Sequence, residues 1–339
     1  MKAFTLKEPG VVSQVDIDEP IVNPNDVLIE VHYLGLCGSD LNSYKGLMPM
    51  VIYPRIPGHE ISGKIIGKGN RVPESYNIGD NVTVSPYTNC GVCPACRVGR
   101  INTCEFNQTF GVQRDGALTE RIVVPYDKVF VSKSLTLQEL ALVEPLSVGY
   151  HGANIGGVNE TDTVILFGCG TIGMGALLAV VRKGATLIAV DIDDSKLTQA
   201  KKFGATYTIN SLKEDVKAVV AGITNNEGVS VAIEAAGIPE TFVLALELAS
   251  FAGRVVTIGY SKKDVSINTQ LIVRKELRIF GSRNALNVFP SVIKMFERKE
   301  KPFTDIITKI FSFHEAEKAF QYWKENTGTV SKILISVKE

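Results

Sequence analysis

The sequence predicts an α/β protein in which a β-rich domain precedes a domain built on a parallel sheet. Three observations support this prediction: the chain is long enough for two domains, its first part contains many short strand-like runs, and its middle part alternates strands with helices. At roughly 150 residues per domain, 339 residues correspond to about two domains. We place them at residues 1–147 and 148–286, and we expect residues 287–339 to return to the first domain.

Short β-branched runs fill the first domain and are separated by Gly, Pro and Asn. Examples are residues 26–34, 61–66 and 81–85. This spacing of strands and turns is typical of a compact barrel or sandwich. Near the end of the chain, Ser312 and Glu315 form a capping-box pattern that predicts a helix start, and residues 330–337 are predicted to form a closing strand.

The second domain shows apolar strand-like runs that alternate with longer amphipathic segments. The runs are residues 163–167, 186–190, 229–234 and 254–258. Such alternation implies βαβ units and a parallel sheet. Residues 163–181 carry no charge, but glycines divide them into a strand and a helix, so we do not expect a membrane span.

The composition argues against several classes of partner. The chain has 36 basic and 36 acidic residues and a formal net charge of zero, so we expect neither nucleic acid nor a membrane surface as partner. Its start lacks a basic region followed by an apolar stretch. We therefore expect no signal peptide and a cytoplasmic location.

Four of the six cysteines, Cys90, Cys93, Cys96 and Cys104, lie within fifteen residues. In a reducing compartment this spacing indicates a metal site rather than disulfides. Four thiolates can surround one zinc ion and leave no open position, which predicts a structural role. A redox Cys-x-x-Cys pair would need only two of them, whereas an iron–sulfur cluster would also use four.

A second set of metal-binding side chains is dispersed over the sequence: Cys37, His59, Glu60 and Glu144. Thiolate, imidazole and carboxylate are the ligands of catalytic zinc, which keeps room for water or substrate. Taken singly, each of these residues could be an ordinary core or surface side chain. Only a family pattern can group them.

A glycine-rich turn, Gly168-Cys-Gly-Thr-Ile-Gly173, lies between a predicted strand and a predicted helix. Its glycines allow the backbone to approach a pyrophosphate, which would lie on the helix N-terminus. Asp191 ends the next strand; its charge suits a ribose diol and would repel a phosphate, so NAD is favoured over NADP. The candidate cofactor-binding residues are Gly168, Gly170, Thr171, Ile172, Gly173, Asp191, Lys196, Gly237, Ile258 and Gly259.

Together these motifs resemble the zinc-dependent medium-chain dehydrogenase/reductase family, which includes alcohol, sorbitol and threonine dehydrogenases. The resemblance rests on residues 37–40, 58–63 with 79–80, the four cysteines, residues 144–145 and the glycine turn. It implies a discontinuous GroES-like catalytic domain and a Rossmann domain with a doubly wound parallel sheet, with the active site in the cleft between them. It also implies two zinc ions per chain, NAD, and a homodimer or homotetramer.

The resemblance also implies roles for individual residues. Cys37 and His59 match zinc ligands, while Glu60 and Glu144 both match positions that supply the carboxylate in different members. Ser39 would hydrogen-bond the reacting alcohol and pass on its proton, and Asp40 would orient the metal ligands. The chain departs from the family at Asn42, where a histidine often ends the proton relay.

Arg283 matches a substrate-facing arginine of sorbitol dehydrogenases, and Glu144 is a second candidate substrate contact. Residues 281–284 and 53–59 look most like the bacterial polyol and sugar-acid branch, which includes hexonate 5-dehydrogenases of galactonate- or gulonate-like compounds. A guanidinium could bind hydroxyls or clamp a carboxylate. Three hypotheses remain: a polyol or sugar-acid dehydrogenase, a threonine-type or simple-alcohol dehydrogenase with the same site, and a zinc-stabilised nucleotide-binding sensor without turnover.

Overall fold

The computed structural model describes residues 1–261 and 263–338 and divides into two compact units. The first unit combines residues 1–144 with the segment from Phe289 onward, and the second unit is Pro145–Val288. The chain passes from the first unit to the second within one helix, Val143–Ile155.

The elements follow one another along the chain as strands and short helices first and as alternating strands and helices later. The strands are β1 (Lys2–Glu8), β2 (Val11–Asp16), β3 (Asp26–Leu36), β4 (Glu60–Lys68), β5 (Asn81–Val84), β6 (Arg121–Pro125), β7 (Val129–Val131), β8 (Thr163–Phe167), β9 (Thr186–Asp191), β10 (Tyr207–Asn210), β11 (Val229–Glu234), β12 (Ala249–Thr257), β13 (Arg278–Gly281), β14 (Ile307–Ser312) and β15 (Lys332–Ser336). The helices are α1 (Gly38–Tyr44), α2 (Pro94–Arg97), α3 (Leu137–Ala141), α4 (Val143–Ile155), α5 (Thr171–Arg182), α6 (Asp194–Lys202), α7 (Val216–Ile223), α8 (Pro239–Leu248), α9 (Thr269–Lys275), α10 (Phe289–Glu297) and α11 (Ala316–Glu325).

The first unit is built on a sheet in the order β14-β15-β3-β4-β5-β7, with β6 also paired to β3. Its strand pairs are antiparallel apart from β14 with β15. Apolar side chains of β3, β4 and β15 are fully buried in one core. The predicted β-rich domain is confirmed, and the predicted closing strand is β15, which pairs with β3.

The return segment of the first unit begins its last helix as the sequence predicts. Ser312 and Glu315 form the capping box before a 3-10 turn and α11. Phe320 of α11 is fully buried, and its ring packs against Tyr44 of α1 with centroids 5.3 Å apart. The helix thereby covers one side of the first core.

The second unit is a parallel sheet in the order β10-β9-β8-β11-β12-β13. Counted from β8 along the chain, this order is 3-2-1-4-5-6, the doubly wound order of dinucleotide-binding folds. The predicted Rossmann sheet is confirmed. The order reverses between β8 and β11, and a crevice for a ligand opens at the carboxyl ends of strands at such a reversal.

The uncharged residues 163–181 form β8 and most of α5. Both elements belong to the doubly wound unit, as the glycines within this stretch predict. Within the ranges that the structure describes, none of the helices has the length and apolar character needed to cross a membrane.

A buried ion pair joins β15 to β4 within the first unit. Lys332 Nζ donates to both carboxylate oxygens of Glu60 at 2.6 Å and to the carbonyl of Leu36 at 2.9 Å. Lys332 and Glu60 are 2% and 1% exposed. Gly35 faces Glu60 across the β3–β4 pair, and a Cβ at Gly35 would lie 2.1 Å from Glu60 Oε2. The absence of a side chain at Gly35 therefore leaves room for the carboxylate.

Replacing Lys332 should destabilise the protein because it leaves a buried carboxylate without its cation. Lys332→Met should cost about 3–5 kcal/mol in the free energy of unfolding, as measured by urea denaturation followed by circular dichroism. Lys338→Met is the matched control, since Lys338 pairs with Glu30 and its side chain is 52% exposed. The control should lose about 1 kcal/mol or less. Equal losses for the two variants would contradict a stabilising role of the buried pair.

Candidate metal and nucleotide sites

The four sulfur atoms that the sequence assigns to one metal lie together in the first unit. The Sγ atoms of Cys90, Cys93, Cys96 and Cys104 are within 4.8 Å of one another. Cys93 Sγ and Cys104 Sγ are 3.9 Å apart. Tetrahedral zinc with bonds of about 2.3 Å requires sulfurs about 3.8 Å apart. The cluster therefore fits a structural zinc ion.

Backbone N–H groups donate to these sulfurs. The Cys93 N–H donates to Cys90 Sγ, and the Cys90 N–H donates to Cys104 Sγ, each at 3.3 Å. The N–H groups of Cys96 and Glu105 lower the pKa of the Cys93 thiol to about 6. These donors favour the thiolate form, which is the form that binds metal.

Asp40 connects the two sequence segments that carry Cys37 and His59. Its Oδ2 accepts a hydrogen bond from the Cys37 N–H at 2.8 Å, and its Oδ1 accepts one from the Gly58 N–H at 3.1 Å. Asp40 Oδ1 also lies 3.8 Å from His59 Nδ1. Because Asp40 is fully buried, these contacts hold the start of α1 against the residues that precede β4.

Cys37, His59 and Glu60 each offer a ligand atom within 4.8 Å of the other two. His59 and Glu60 are adjacent and buried. Burial alone would lower the pKa of His59, but the charges of Asp40 and Cys37 raise it well above its ordinary value. Burial raises the pKa of Glu60 to about 7, against the opposing effect of Lys332. The pocket thus strongly favours positive charge.

The residues of this pocket fit a divalent metal. Glu60 already has a cation in Lys332, but Asp40 and Glu144 add two more buried carboxyl groups whose charges act on His59. Buried anions require a compensating cation. His59 Nδ1 and Ser39 Oγ are buried and have no hydrogen-bond partner among the described residues. A thiolate, an imidazole and a carboxylate form a donor set that zinc prefers.

Glu144, the second candidate carboxylate, is 3% exposed and lies at the start of α4. Its Oε1 accepts a hydrogen bond from the Tyr87 O–H. Among the described residues, the set of ligand atoms in this pocket within 4.8 Å of one another consists of Cys37, His59 and Glu60, and Glu144 does not belong to it. Its charge nonetheless helps to raise the pKa of His59. The structure therefore groups Glu60 with Cys37 and His59, and it holds Glu144 through Tyr87.

The predicted glycine turn joins β8 to α5 in the second unit. Gly168 has a φ of +90°, and a Cβ on Gly173 would lie 1.9 Å from the Gly168 carbonyl oxygen. Both positions therefore require glycine. Gly170 is the N-cap and has no side chain with which to cap the helix, and Thr171 and Ile172 form its first turn. A glycine turn at a helix N-terminus can receive a pyrophosphate.

Asp191 lies at the end of β9, next to the glycine turn. Its Oδ2 accepts a hydrogen bond from the Cys169 N–H at 2.7 Å. Its Oδ1 accepts from the Ile192 and Asp193 N–H groups at 2.8 Å and 3.1 Å. These backbone donors fix a carboxylate at the place where dinucleotide-binding folds hold the adenosine ribose.

Glu234, at the end of β11, organises the loops that contain three predicted cofactor residues. Its Oε1 accepts from the Gly237 N–H at 2.7 Å and from the Thr241 hydroxyl at 2.8 Å. Its carbonyl accepts from the N–H groups of Ile258 and Gly259 at 2.8 Å and 3.2 Å. The loops after β11 and β12 therefore meet at one buried residue.

Lys196 and Arg283 both lie beyond carboxyl ends of the parallel strands. Lys196 is in the first turn of α6, which follows β9, and Arg283 comes two residues after β13. Strand β13 is three strands away from β8 in the sheet order. Because the strands are parallel, Arg283 lies at the same edge of the sheet as the glycine turn and Asp191.

Sequence reasoning missed three residues that contact the candidate sites: Tyr87, Glu234 and Lys332. Glu234 and Lys332 did carry a signal, because a single charge at the end of an apolar strand needs a partner once it is buried. Tyr87 carried none, since it bonds to Glu144, 57 residues away in the sequence.

Two family models match the chain. The alcohol dehydrogenase GroES-like domain matches residues 23–134, and the zinc-binding dehydrogenase model matches residues 171–298.

Three curated relatives are similar over most of their length. The chain is 37% identical over 316 residues to an uncharacterized zinc-type alcohol dehydrogenase-like protein of Haemophilus influenzae, covering 93% of this chain and 92% of that protein. It is 33% identical over 342 residues to sorbitol dehydrogenase of Bacillus subtilis, with 99% and 97% covered. It is 30% identical over 285 residues to L-galactonate-5-dehydrogenase of Escherichia coli, with 84% of each covered.

Solved structures show the same fold over the whole chain. The rspB alcohol dehydrogenase of Escherichia coli CFT073, complexed with NADH, has a TM-score of 0.92 at 30% identity, with 99% of each chain covered. A protein of Sinorhizobium meliloti 1021 bound to NADP has a TM-score of 0.91 at 30% identity, again with 99% of each chain covered. The chain therefore belongs to the zinc-dependent medium-chain alcohol dehydrogenase family and is a zinc- and NAD(P)-dependent oxidoreductase that acts on CH–OH groups.

Proposed function

We propose that the protein oxidises a secondary hydroxyl of a polyol or a sugar acid, of the galactonate or gulonate type, to a ketone and transfers the hydride to NAD. The observation that carries this proposal is the place of Arg283 at the carboxyl edge of the parallel sheet. A guanidinium at this edge can bind several hydroxyls or a carboxylate. Two relatives are named as dehydrogenases of sorbitol and of L-galactonate, and both compounds offer such groups.

The sheet order supports Arg283 as a group at the reactive end of the cofactor. The pyrophosphate belongs at the Gly168 turn, and the adenosine ribose belongs at Asp191, on the β9 side of β8. The nicotinamide half then extends to the other side of the reversal, toward β11, β12 and β13. Arg283 follows the last of these strands.

Cys37 and His59, with Glu60 or Glu144, would hold the catalytic zinc ion. When bound there, zinc acts as a Lewis acid that lowers the pKa of a substrate hydroxyl. Asp40 orients this site through the Cys37 and Gly58 N–H groups. Ser39 Oγ, which is buried and has no hydrogen-bond partner among the described residues, would take up the hydroxyl proton and pass it on.

Zinc analysis should give two ions per chain, because the two ligand sets share no residue. Cys93→Ser should lose the ion of the four-thiolate cluster and lower stability, whereas Cys37→Ser should lose the other ion and abolish turnover with the fold retained. Cys169→Ser is the matched control for zinc content, since Cys169 is buried in the second unit outside both sets. Elemental analysis measures the zinc content, and circular dichroism shows whether the fold is retained. One zinc ion per active chain, unaffected by Cys93→Ser, would contradict the two-site assignment.

The cofactor should be NAD rather than NADP, because the Asp191 charge suits a ribose diol and repels a phosphate. Asp191→Ala should lower kcat/KM for NAD by about ten- to a hundredfold, the loss expected for a charge-assisted hydrogen bond, and should affect NADP less. Asp215→Ala is the control, since Asp215 caps α7 in the same unit. A wild-type preference for NADP would show that Asp191 does not select the cofactor.

A panel of hexonates, polyols, L-threonine and short alcohols with NAD, read as NADH absorbance, tests the substrate class. Arg283→Ala should lose about ten- to a hundredfold in kcat/KM on the preferred hexonate, about 1.5–3 kcal/mol. It should change little on a short alcohol, which has neither the additional hydroxyls nor the carboxylate that a guanidinium would bind.

Arg278→Ala is the matched control for this experiment, because Arg278 is an exposed arginine on β13 itself. Equal losses of Arg283→Ala on hexonate and short alcohol would place Arg283 in structure or cofactor binding. A preference of the wild-type enzyme for L-threonine or a short alcohol would overturn the proposed substrate class and leave the dehydrogenase assignment standing.

A further inference from the structure

A buried tyrosine outside every predicted site contacts one of the two candidate carboxylates. Tyr87 is 8% exposed and lies between β5 and Cys90. Its O–H donates to Glu144 Oε1, and Glu144 is 3% exposed. A buried hydroxyl and a buried carboxylate each need a hydrogen-bond partner, and here they supply one for each other.

Tyr87 is the donor in this contact, because an ionised carboxylate oxygen can only accept a hydrogen bond. The phenol O–H therefore has a fixed acceptor. A hydrogen bond from a neutral donor to a charged acceptor is strong and directional, so it fixes the orientation of the Glu144 carboxylate.

The residues on either side of Tyr87 are held by hydrogen bonds. The Pro86 carbonyl accepts from the Phe110 N–H at 3.2 Å, and Thr88 Oγ1 accepts from the Gln108 N–H at 2.7 Å. Residues 108–110 follow Cys104, the last ligand of the four-thiolate cluster. The ordered segments on either side of that cluster therefore give Tyr87 its position.

The two candidate carboxylates are held by different chemistry. Glu60 is bound through both oxygens by the cation of Lys332, whereas one oxygen of Glu144 is bound by a neutral phenol. The charges of His59, Lys332 and Asp40 all act on Glu144, so this carboxylate lies within the field of the proposed metal pocket. The two carboxylates therefore differ in the charge of the group that orients them: a lysine cation at Glu60 and a neutral phenol at Glu144.

We propose that Tyr87 is a positioning residue for the catalytic metal, and that it acts by fixing the direction of the Glu144 carboxylate beside Cys37 and His59. This inference rests on the metal site under the proposed function. Groups that orient the surroundings of a bound metal typically change its affinity by about ten- to a hundredfold when they are removed.

Tyr87→Phe tests the proposal, because it keeps the ring and removes only the hydroxyl. Holoenzyme with both zinc ions is titrated with a chelator, and the cobalt-substituted protein is examined by visible absorption. We expect the ion at the Cys37 site to bind about ten- to a hundredfold more weakly, with an altered cobalt spectrum, while the four-thiolate ion stays. Tyr53→Phe is the matched control, since the Tyr53 O–H donates to the Ser43 carbonyl, and it should leave both affinities unchanged.

A double-mutant cycle with Glu144→Gln identifies the route of the effect. If Tyr87 acts through Glu144, Tyr87→Phe should have no further effect on metal affinity in the Glu144→Gln background. Additive losses, or a wild-type metal affinity in Tyr87→Phe, would overturn the proposal. Loss of both ions together would place Tyr87 in the folding of the cysteine lobe and would also overturn it. Wild-type protein that holds only the four-thiolate ion would instead refute the proposed catalytic site before any variant is compared.

Discussion

A carboxylate buried away from water needs a nearby positive charge, and in this protein that requirement joins the end of the chain to its first third. Glu60 and Lys332 are 272 residues apart in the sequence, yet the lysine binds both oxygens of the carboxylate. For this contact to form, β15 must pair with β3 beside β4, and Gly35 must leave space above β3. The first unit is formed by two separate segments of the chain, and the ion pair links them, because the second segment carries the lysine that the buried glutamate of the first segment needs.

The pocket around His59 keeps an excess of negative charge after Lys332 has bound Glu60. The pKa of His59 is raised by this negative charge, since the charges of Asp40 and Cys37 overcome the effect of burial. A proton and a metal ion compete for such an imidazole, because a ligand must be deprotonated to bind metal. A divalent cation would satisfy the pocket better than a proton, since it would also bond the thiolate and the carboxylate. The negative field that would destabilise the metal-free pocket would then be the source of its metal affinity.

How much the sequence could predict depended on the range of the contacts. The four cysteines and the glycine turn were readable because spacing over a few residues determines both sites. Strands β8 and β11 have the predicted bounds, but β12 begins at Ala249, before the predicted residue 254, since a register shift and the positive φ of Ala252 interrupt its pattern. The dispersed metal ligands could be grouped only by resemblance. The partners of Glu60 and Glu144 could not be predicted, because those contacts span long stretches of chain.

In the second unit, strand order separates the groups that hold the cofactor from those at the far end of the crevice. Backbone ladders and a buried apolar core fix the strands, so the glycine turn and Asp191 have little freedom to change. Arg283 lies beyond β13, at the outer end of the sheet order and outside these ladders. A substitution at Arg283 leaves the strand register intact, whereas a side chain at Gly173 would collide with the Gly168 carbonyl. The fold can therefore keep its glycine turn constant while the residues beyond its last strand vary.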